Sequence, residues 1–177
     1  MVSQEKGETM EAMQAALRRL LDEEAIKKVH LRYCRSIDRR DWELLRSCYH
    51  PDALDDHGDY VGGVDGFIKF CESGTLNFTS TTHLTCNQMV EVDGDVAWTE
   101  FYGRAYHRVP ADAERIEKDF AVNTRWVDRF ERRHGEWRIA KRTVVVDTDR
   151  VDPVTERWVP QQQYRGRRDH TDPSYER

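Results

Sequence analysis

The chain has 177 residues, 34% of them charged with both signs well mixed, and a formal net charge of -5. That length suits one domain with a proper core, and the lack of a basic bias argues against a nucleic-acid partner. No apolar run approaches the ~20 residues of a membrane span, so no membrane partner is expected, and the cysteines, which read as reduced thiols, point to a cytoplasmic protein.

Residues 1–10 read as a flexible N-terminus, 11–150 as the folded domain and 151–177 as an extended, polar C-terminal tail. Residues 10–38 are expected to be helical in two pieces. Met13, Ala16, Leu17, Leu20 and Leu21 form the first apolar stripe, and Asp22 is the N-cap of a second helix carrying Ile26, Val29, His30, Tyr33 and Ile37. Asp41 caps a short helix with Trp42, Leu44, Leu45 and Cys48 inward, and Pro51 stops it. A first strand follows over 53–61, broken by Gly62 and Gly63, and Asp65 caps a helix holding Phe67, Ile68, Phe70 and Cys71. Strands are expected at 81–92, 95–108, 119–132 and 137–150. Asp93-Gly94 and His134-Gly135 mark hairpins, and a polar loop spans 110–118. The four cysteines (Cys34, Cys48, Cys71, Cys86) show no CxxC spacing and read as reduced core thiols. This order predicts an α+β fold, a cone-shaped and strongly curved antiparallel sheet packed on N-terminal helices and enclosing a pocket.

The run from Trp98 to Tyr106 alternates with period two, as a strand does. One face carries Trp98, Glu100, Tyr102, Arg104 and Tyr106; the other carries Thr99, Phe101, Gly103 and Ala105. Aromatics interleaved with charged groups suit a ligand cavity, so the first face is expected to line the pocket, with the small face under a helix or subunit. The competing reading is a solvent face with Glu–Arg pairing.

Several segments together resemble the SnoaL-like proteins of the nuclear-transport-factor-two-like superfamily, over roughly residues 15–150. They are Tyr33-Cys-Arg-Ser-Ile-Asp38-Arg-Arg-Asp-Trp42, His50-Pro-Asp-Ala53, His83 opening a strand, and the run from Trp126 to Trp137. The resemblance is strongest to the cofactor-free lyases, among them scytalone dehydratase, bile-acid dehydratase and hexachlorocyclohexane dehydrochlorinase. It implies a catalytic His83 paired with Asp38, no cofactor, and a homotrimer. Tyr33 matches a helix tyrosine of the bile-acid dehydratase, Tyr106 stands where that enzyme has an aspartate, and Arg142 matches an arginine of the dehydrochlorinase. The same pattern points Asp55 and His57 into the cavity and puts Trp126 on one face with Asp128.

The chemistry of these residues also stands alone. Histidine has an ordinary pKa near ~6.5 and serves as a base at neutral pH, and a carboxylate on its other nitrogen fixes the tautomer. Otherwise, His83 is a strand histidine satisfied by a backbone carbonyl and Asp38 an exposed residue at a helix end. Asp55 and His57 form either a second acid–base pair or polar lining. A metal set of Asp55, His57 and His83 lacks HxH or HxxxH spacing, so no metal is expected. Arg142 lies among valines on the face of Val144 and Val146, where Glu100 or a substrate anion is its natural partner, unless it reaches the rim. Trp98, Tyr102, Tyr106 and Trp126 would give the pocket flat walls for an aromatic or polycyclic substrate. His30, His50, His107, His134 and His170 read as structural or surface residues. Trp158, Tyr164 and Tyr175 on the polar tail require a surface of the same chain or a neighbour. Three functions remain open: a cofactor-independent lyase performing dehydration or C–C cleavage such as formaldehyde release from a lignin-type aryl diol, a non-catalytic small subunit of a ring-hydroxylating dioxygenase, or a small-molecule-binding cone protein.

Overall fold

The computed structural model describes residues 2–73, 78–156 and 165–176. One helix, α1 (Val2–Arg39), replaces the two expected and reaches back through the stretch read as flexible. No proline or glycine interrupts the sequence between Glu8 and Arg39. Asp22 does not cap a helix. It lies buried inside α1, where it accepts hydrogen bonds from Arg132 (2.7 Å) and Trp137 Nε1 (2.9 Å). An aspartate disturbs a helix interior when it competes for nearby backbone groups, and here its side chain is committed elsewhere. The second half of α1 buries Ile26, Val29, His30, Tyr33 and Cys34. Met10, Met13, Leu17, Leu20 and Leu21, further up the helix, remain 51% to 62% exposed.

Asp41 caps α2 (Trp42–Ser47) as expected, accepting from Leu44 N at 3.1 Å. Strand β1 (Tyr49–Asp56) starts earlier than the sequence suggests and includes Pro51, which its side free of β2 tolerates. The two-residue β2 (Val61–Gly62) leads into α3 (Val64–Glu72). The N-cap of α3 is Gly63, and Asp65 sits in the first turn instead, paired with Arg46. Four long strands follow: β3 (Ser80–Asp93), β4 (Val96–Val109), β5 (Lys118–Arg133) and β6 (Glu136–Pro153). Both expected hairpins form, with Gly94 (φ 58), His134 (φ 53) and Gly135 (φ 83) in the left-handed region that tight turns require.

The six strands run in the order β2-β1-β6-β5-β4-β3. All pairings are antiparallel except β1 with β6, so the sheet is mixed, within the expected α+β architecture. Residues following β1 and residues on β3, from opposite ends of this order, border one cavity, so the sheet must curl. Helix α1 crosses its concave face, with the His30 ring 4.3 Å from Phe101 and 4.9 Å from Trp126.

Strand β4 faces the other way from expectation. Ala97, Thr99, Phe101, Gly103 and Ala105 are buried on the concave side, while Trp98, Glu100, Tyr102, Arg104 and Tyr106 lie on the convex side. The reason is volume. A Cβ on Gly103 would sit 2.2 Å from Trp126 Cζ3 and 2.4 Å from the Leu84 carbonyl oxygen, so the ring carried by β5 requires small neighbours on β4. On the convex side Glu100 pairs with Arg125 (2.9 Å), and the Arg104 guanidinium lies 4.8 Å from the Tyr106 ring centroid.

The C-terminal residues 165–176 are not extended. They fold back onto the end of α1 through a 3₁₀ turn (Pro173–Tyr175), and Tyr175 packs against its own chain, donating to Asp41 (2.9 Å). Trp158 and Tyr164 lie outside the described residues. All four cysteines are free, but Cys86 is exposed rather than in the core, its thiol donating to the Tyr102 carbonyl (3.3 Å). No described helix is long and apolar enough to cross a membrane.

Candidate active site

Between α1, α3, the sheet and the C-terminal segment lies a cavity of about 380 Å³, the size of small-molecule sites. Rings wall it: Trp42, Phe67, Phe70, Phe78, Phe120 and Trp126. Its inner polar groups include Tyr33, His57, Thr81, His83, His107, Thr124 and Arg168; Asp59 and Asp149 are exposed at its rim.

Asp38 sits in the last turn of α1, where a carboxylate opposes the helix dipole. Three donors hold it there: His83 Nδ1 at 2.7 Å, the His83 backbone N–H at 3.0 Å and Thr81 Oγ1 at 2.9 Å. Burial alone would raise its pKa; the His83 ring and backbone and Thr81 reverse that and hold it below the usual carboxylate value. With Nδ1 donating, Nε2 of His83 is the unprotonated nitrogen, and among the described residues nothing bonds to it. His107 meets the His83 ring edge-on at 5.6 Å. Burial first, and then the neighbouring His83, push the His107 pKa down to about 4.

A second chain of bonds starts on α1. The Tyr33 hydroxyl donates to His57 Nε2 (3.1 Å), His57 Nδ1 bonds to Asp55, and the Tyr49 hydroxyl donates to the other oxygen of Asp55 (2.5 Å). Tyr33 and His57 line the cavity, and Asp55 is fully buried behind them. Burial raises the Tyr33 pKa well above its ordinary value, so its hydroxyl keeps its proton.

Arg142 is not in the cavity wall and does not pair with Glu100. Its side chain and that of Asp128 are both 0% exposed, joined by two bonds of 2.8 Å and 2.6 Å. The Tyr33 ring covers the guanidinium at 3.9 Å, and the third partner is His30 Nδ1 at 3.2 Å. Burial disfavours the Arg142 charge, but Asp128 outweighs it and the pKa rises. His30 is held neutral by burial and by Arg142, and its Nε2 donates to Thr85 (3.1 Å). Arg142 thus props Tyr33 from behind and touches no cavity.

Of the residues singled out from sequence, His83, Asp38, Tyr33, Asp55, His57, Trp126, Val144 and Val146 gather at or directly behind the cavity. Tyr106, Trp98, Glu100, Tyr102 and Arg104 do not, because they share the convex face of β4. Asp55, His57 and His83 do not converge as ligands, and no group of three metal-binding side chains occurs among the described residues. His107, Thr81 and Arg168 were missed. His107 was within reach of sequence reasoning, since it shares the small face of β4 with Ala105 and Phe101.

The profile of the SnoaL-like domain matches residues 18–143. No curated protein matches the chain by sequence. Among solved structures, hexachlorocyclohexane dehydrochlorinase LinA type 2 superposes with a TM-score of 0.71 at 18% identity, covering 84% of this chain and 99% of its own. A scytalone dehydratase-like protein from Novosphingobium aromaticivorans gives 0.66 at 19% identity, covering 83% of this chain and 97% of its own. A protein from the same organism, described as NTF2-like with a cystatin-like fold, gives 0.62 at 23% identity, over 76% and 88%. These likenesses establish the fold, and several of the neighbours are lyases by name. With most of its length matched by the domain profile, the chain belongs to the SnoaL-like family.

Proposed function

We propose that this protein is a cofactor-independent lyase that uses His83 and Asp38 for acid–base chemistry on an aromatic or polycyclic small molecule. The observation that carries this reading is the open Nε2 of His83, oriented by Asp38, in a cavity walled by rings. An imidazole whose Nδ1 proton is committed to a carboxylate has one basic nitrogen left, and the carboxylate stabilises the imidazolium formed on proton transfer. The dehydratase and dehydrochlorinase names among the structural neighbours support elimination chemistry.

In a dehydration, Nε2 takes a proton from carbon and the electron pair left behind forms the double bond. The hydroxyl leaves as water with the hydroxyl proton of Tyr33, and the proton held on His83 returns to the tyrosinate before the next turnover. In C–C cleavage of an aryl diol, Nε2 takes the proton of the terminal hydroxymethyl group, which departs as formaldehyde. The C–C pair becomes the new double bond, and the second hydroxyl leaves as water by the same route. Arg142 acts only by holding Tyr33 in place. The assembly we propose is a homotrimer.

A panel of aryl-propane diols, β-hydroxy carbonyl compounds and steroids, read by product mass, tests the reading. On the compound turned over, His83→Ala should lower kcat by at least ~100-fold while Tyr106→Phe stays within about twofold. Near-wild-type turnover by His83→Ala rejects the dyad. A panel that yields no product, with compounds bound unchanged, favours the binding-protein or subunit reading.

A further inference from the structure

The C-terminal segment is pinned to the end of α1. Asp172 accepts from the backbone of Arg167 (2.8 Å) and Ser174 (3.1 Å) and pairs with Arg39 (3.3 Å). Ser174 Oγ accepts from Arg35 (3.0 Å), whose guanidinium lies 4.5 Å from the Tyr175 ring centroid. Held this way, the segment turns Arg168 into the cavity wall.

Arg168 is unusual there. It is the lone lysine or arginine among the described lining residues, and no described carboxylate pairs with it. One terminal nitrogen donates to the Phe78 carbonyl (2.7 Å) and the other to the Ile37 carbonyl (3.3 Å); Nε is buried with no partner among the described residues. Two neutral carbonyls fix the plane of the guanidinium and use two of its five N–H groups; Asp38 offsets part of its charge from a distance, but no described carboxylate bonds to it. A half-buried cation beside phenyl rings is unfavourable until an anion completes it. Burial and the nearby Arg40 lower its pKa to about 10, which still leaves it charged at neutral pH. The carbonyl it holds on α1 belongs to Ile37, the residue before Asp38, and the Phe78 ring lies 4.6 Å from His107, so it stands at the dyad's end of the cavity.

We infer that Arg168 is the anion receptor of this cavity, selecting flat aromatic molecules that carry a carboxylate or phenolate oxygen and seating that oxygen near the His83–Asp38 pair. Guanidinium is the group suited to this task, since its planar fork matches a carboxylate and its charge strengthens each bond. The inference rests on the reading that this cavity is the active site. It makes the C-terminal segment a determinant of specificity rather than a cover alone.

The test uses the full-length protein and three probes: 2-naphthoate, its neutral amide 2-naphthamide, and 4-nitrophenolate. Trp42 and Trp126 line the cavity, so quenching of tryptophan fluorescence reports binding. Wild type should bind 2-naphthoate at least ~10-fold more tightly than the amide, and Arg168→Gln should remove that preference without weakening amide binding. Arg168→Lys should keep part of it. Asp172→Asn, which leaves Arg168 but loosens its segment, should weaken the anion selectively, and it carries the comparison if Arg168→Gln does not fold. The 4-nitrophenolate arm assigns the preference to a phenolate or a carboxylate. If Arg168→Gln weakens acid and amide alike, the residue is only an anchor and the inference is overturned. It is overturned equally if wild type shows no preference for the anion, and the lyase reading then stands on His83→Ala alone. If neither naphthyl probe competes with the compound turned over, the cavity is not the active site and both readings fall.

Discussion

Replacing Asp38 by asparagine keeps the shape of the dyad and removes its charge. The carboxylate accepts three bonds, from His83 Nδ1, the His83 backbone and Thr81. Asparagine has one acceptor oxygen and one NH₂ group. The backbone N–H of His83 is fixed by strand pairing, so the oxygen stays with it and the NH₂ group turns to the imidazole. A donor facing Nδ1 forces the ring proton onto Nε2, the nitrogen proposed as base. Bonds to an ionised acceptor contribute ~1.5–3 kcal/mol each against ~0.5–1.5 for neutral ones. Offset by the relief of burying a charge, the net loss should be about 2 kcal/mol, or roughly 4–8 °C in Tm for a chain of this size. A wrong-tautomer substitution of this kind in a Ser-His-Asp triad costs ~10⁴ in kcat. Imidazole ¹⁵N spectra at pH 7, thermal melts and turnover on the active panel compound measure the three effects. An Nε2 that stays unprotonated, or a kcat within ~10-fold of wild type, refutes the reasoning.

Asp128→Asn should strand the buried Arg142 charge and cost ~3–5 kcal/mol in urea unfolding; a loss below about 1 kcal/mol, the scale of an exposed surface pair, would contradict the burial described. The pKa of His107 is about 4 in the folded chain and ordinarily 6.5, so the unfolded chain takes up a proton first as pH drops. Its contribution to stability is therefore complete above ~6.5 and lost down to about 4, on the order of 3 kcal/mol in all. His107→Asn should reduce the slope in that window in urea melts, with the buried His30 and His50, also lowered, supplying the remainder, whereas Asp38, with its lowered pKa, acts only below its ordinary value of 3.8. A free energy of unfolding that is level from pH 7 to 4.5 in wild type would count against this account. Light scattering should give the mass of a trimer, and glutamates at Leu17 and Leu20, on the exposed stripe of α1, should dissociate it. A concentration-independent monomer of wild type would reject the assembly.

What could be read from sequence was mostly local. The hairpins at Gly94 and Gly135 and the Asp41 cap depend on a few adjacent residues, and they formed where the chain signals them. The alternation of residues 98–106 identified a strand but could not say which face looks inward. That choice is made by Trp126, carried on another strand and pressed against Gly103. Asp22 shows the same limit, because its helix-capping chemistry is overridden by Arg132 and Trp137 from the far end of the chain. The pairing of His83 with Asp38 was legible through the family pattern, and the geometry joins the two side chains directly. Arg142 was found by the same pattern, but its partner Asp128 was not assigned to it; the two stand in register on adjacent strands, which pattern matching cannot weigh against Glu100. Arg168 was invisible because its segment carries no periodicity and acquires its place only by docking on α1.

The parallel pairing of β1 with β6 also has a bearing on how the molecule is made. Asp55 lies opposite Arg142, almost half the chain away, and until β6 exists β1 has only the two residues of β2 as a neighbour. Pairings between distant segments carry a large loop-closure cost before any contact rewards them, which slows folding. On the ribosome, the β3–β5 meander can form as it emerges, whereas the wall holding Tyr33, His57 and Asp55 must wait for the last strand. During that interval β1 presents an open edge and its buried-to-be carboxylate to the surroundings, a state prone to wrong pairing. A chain cut short before Glu136 would keep the His83–Asp38 pair within reach and still have no enclosed chamber. The chamber thus depends on β6 and the C-terminal segment, which follow every other lining element along the chain.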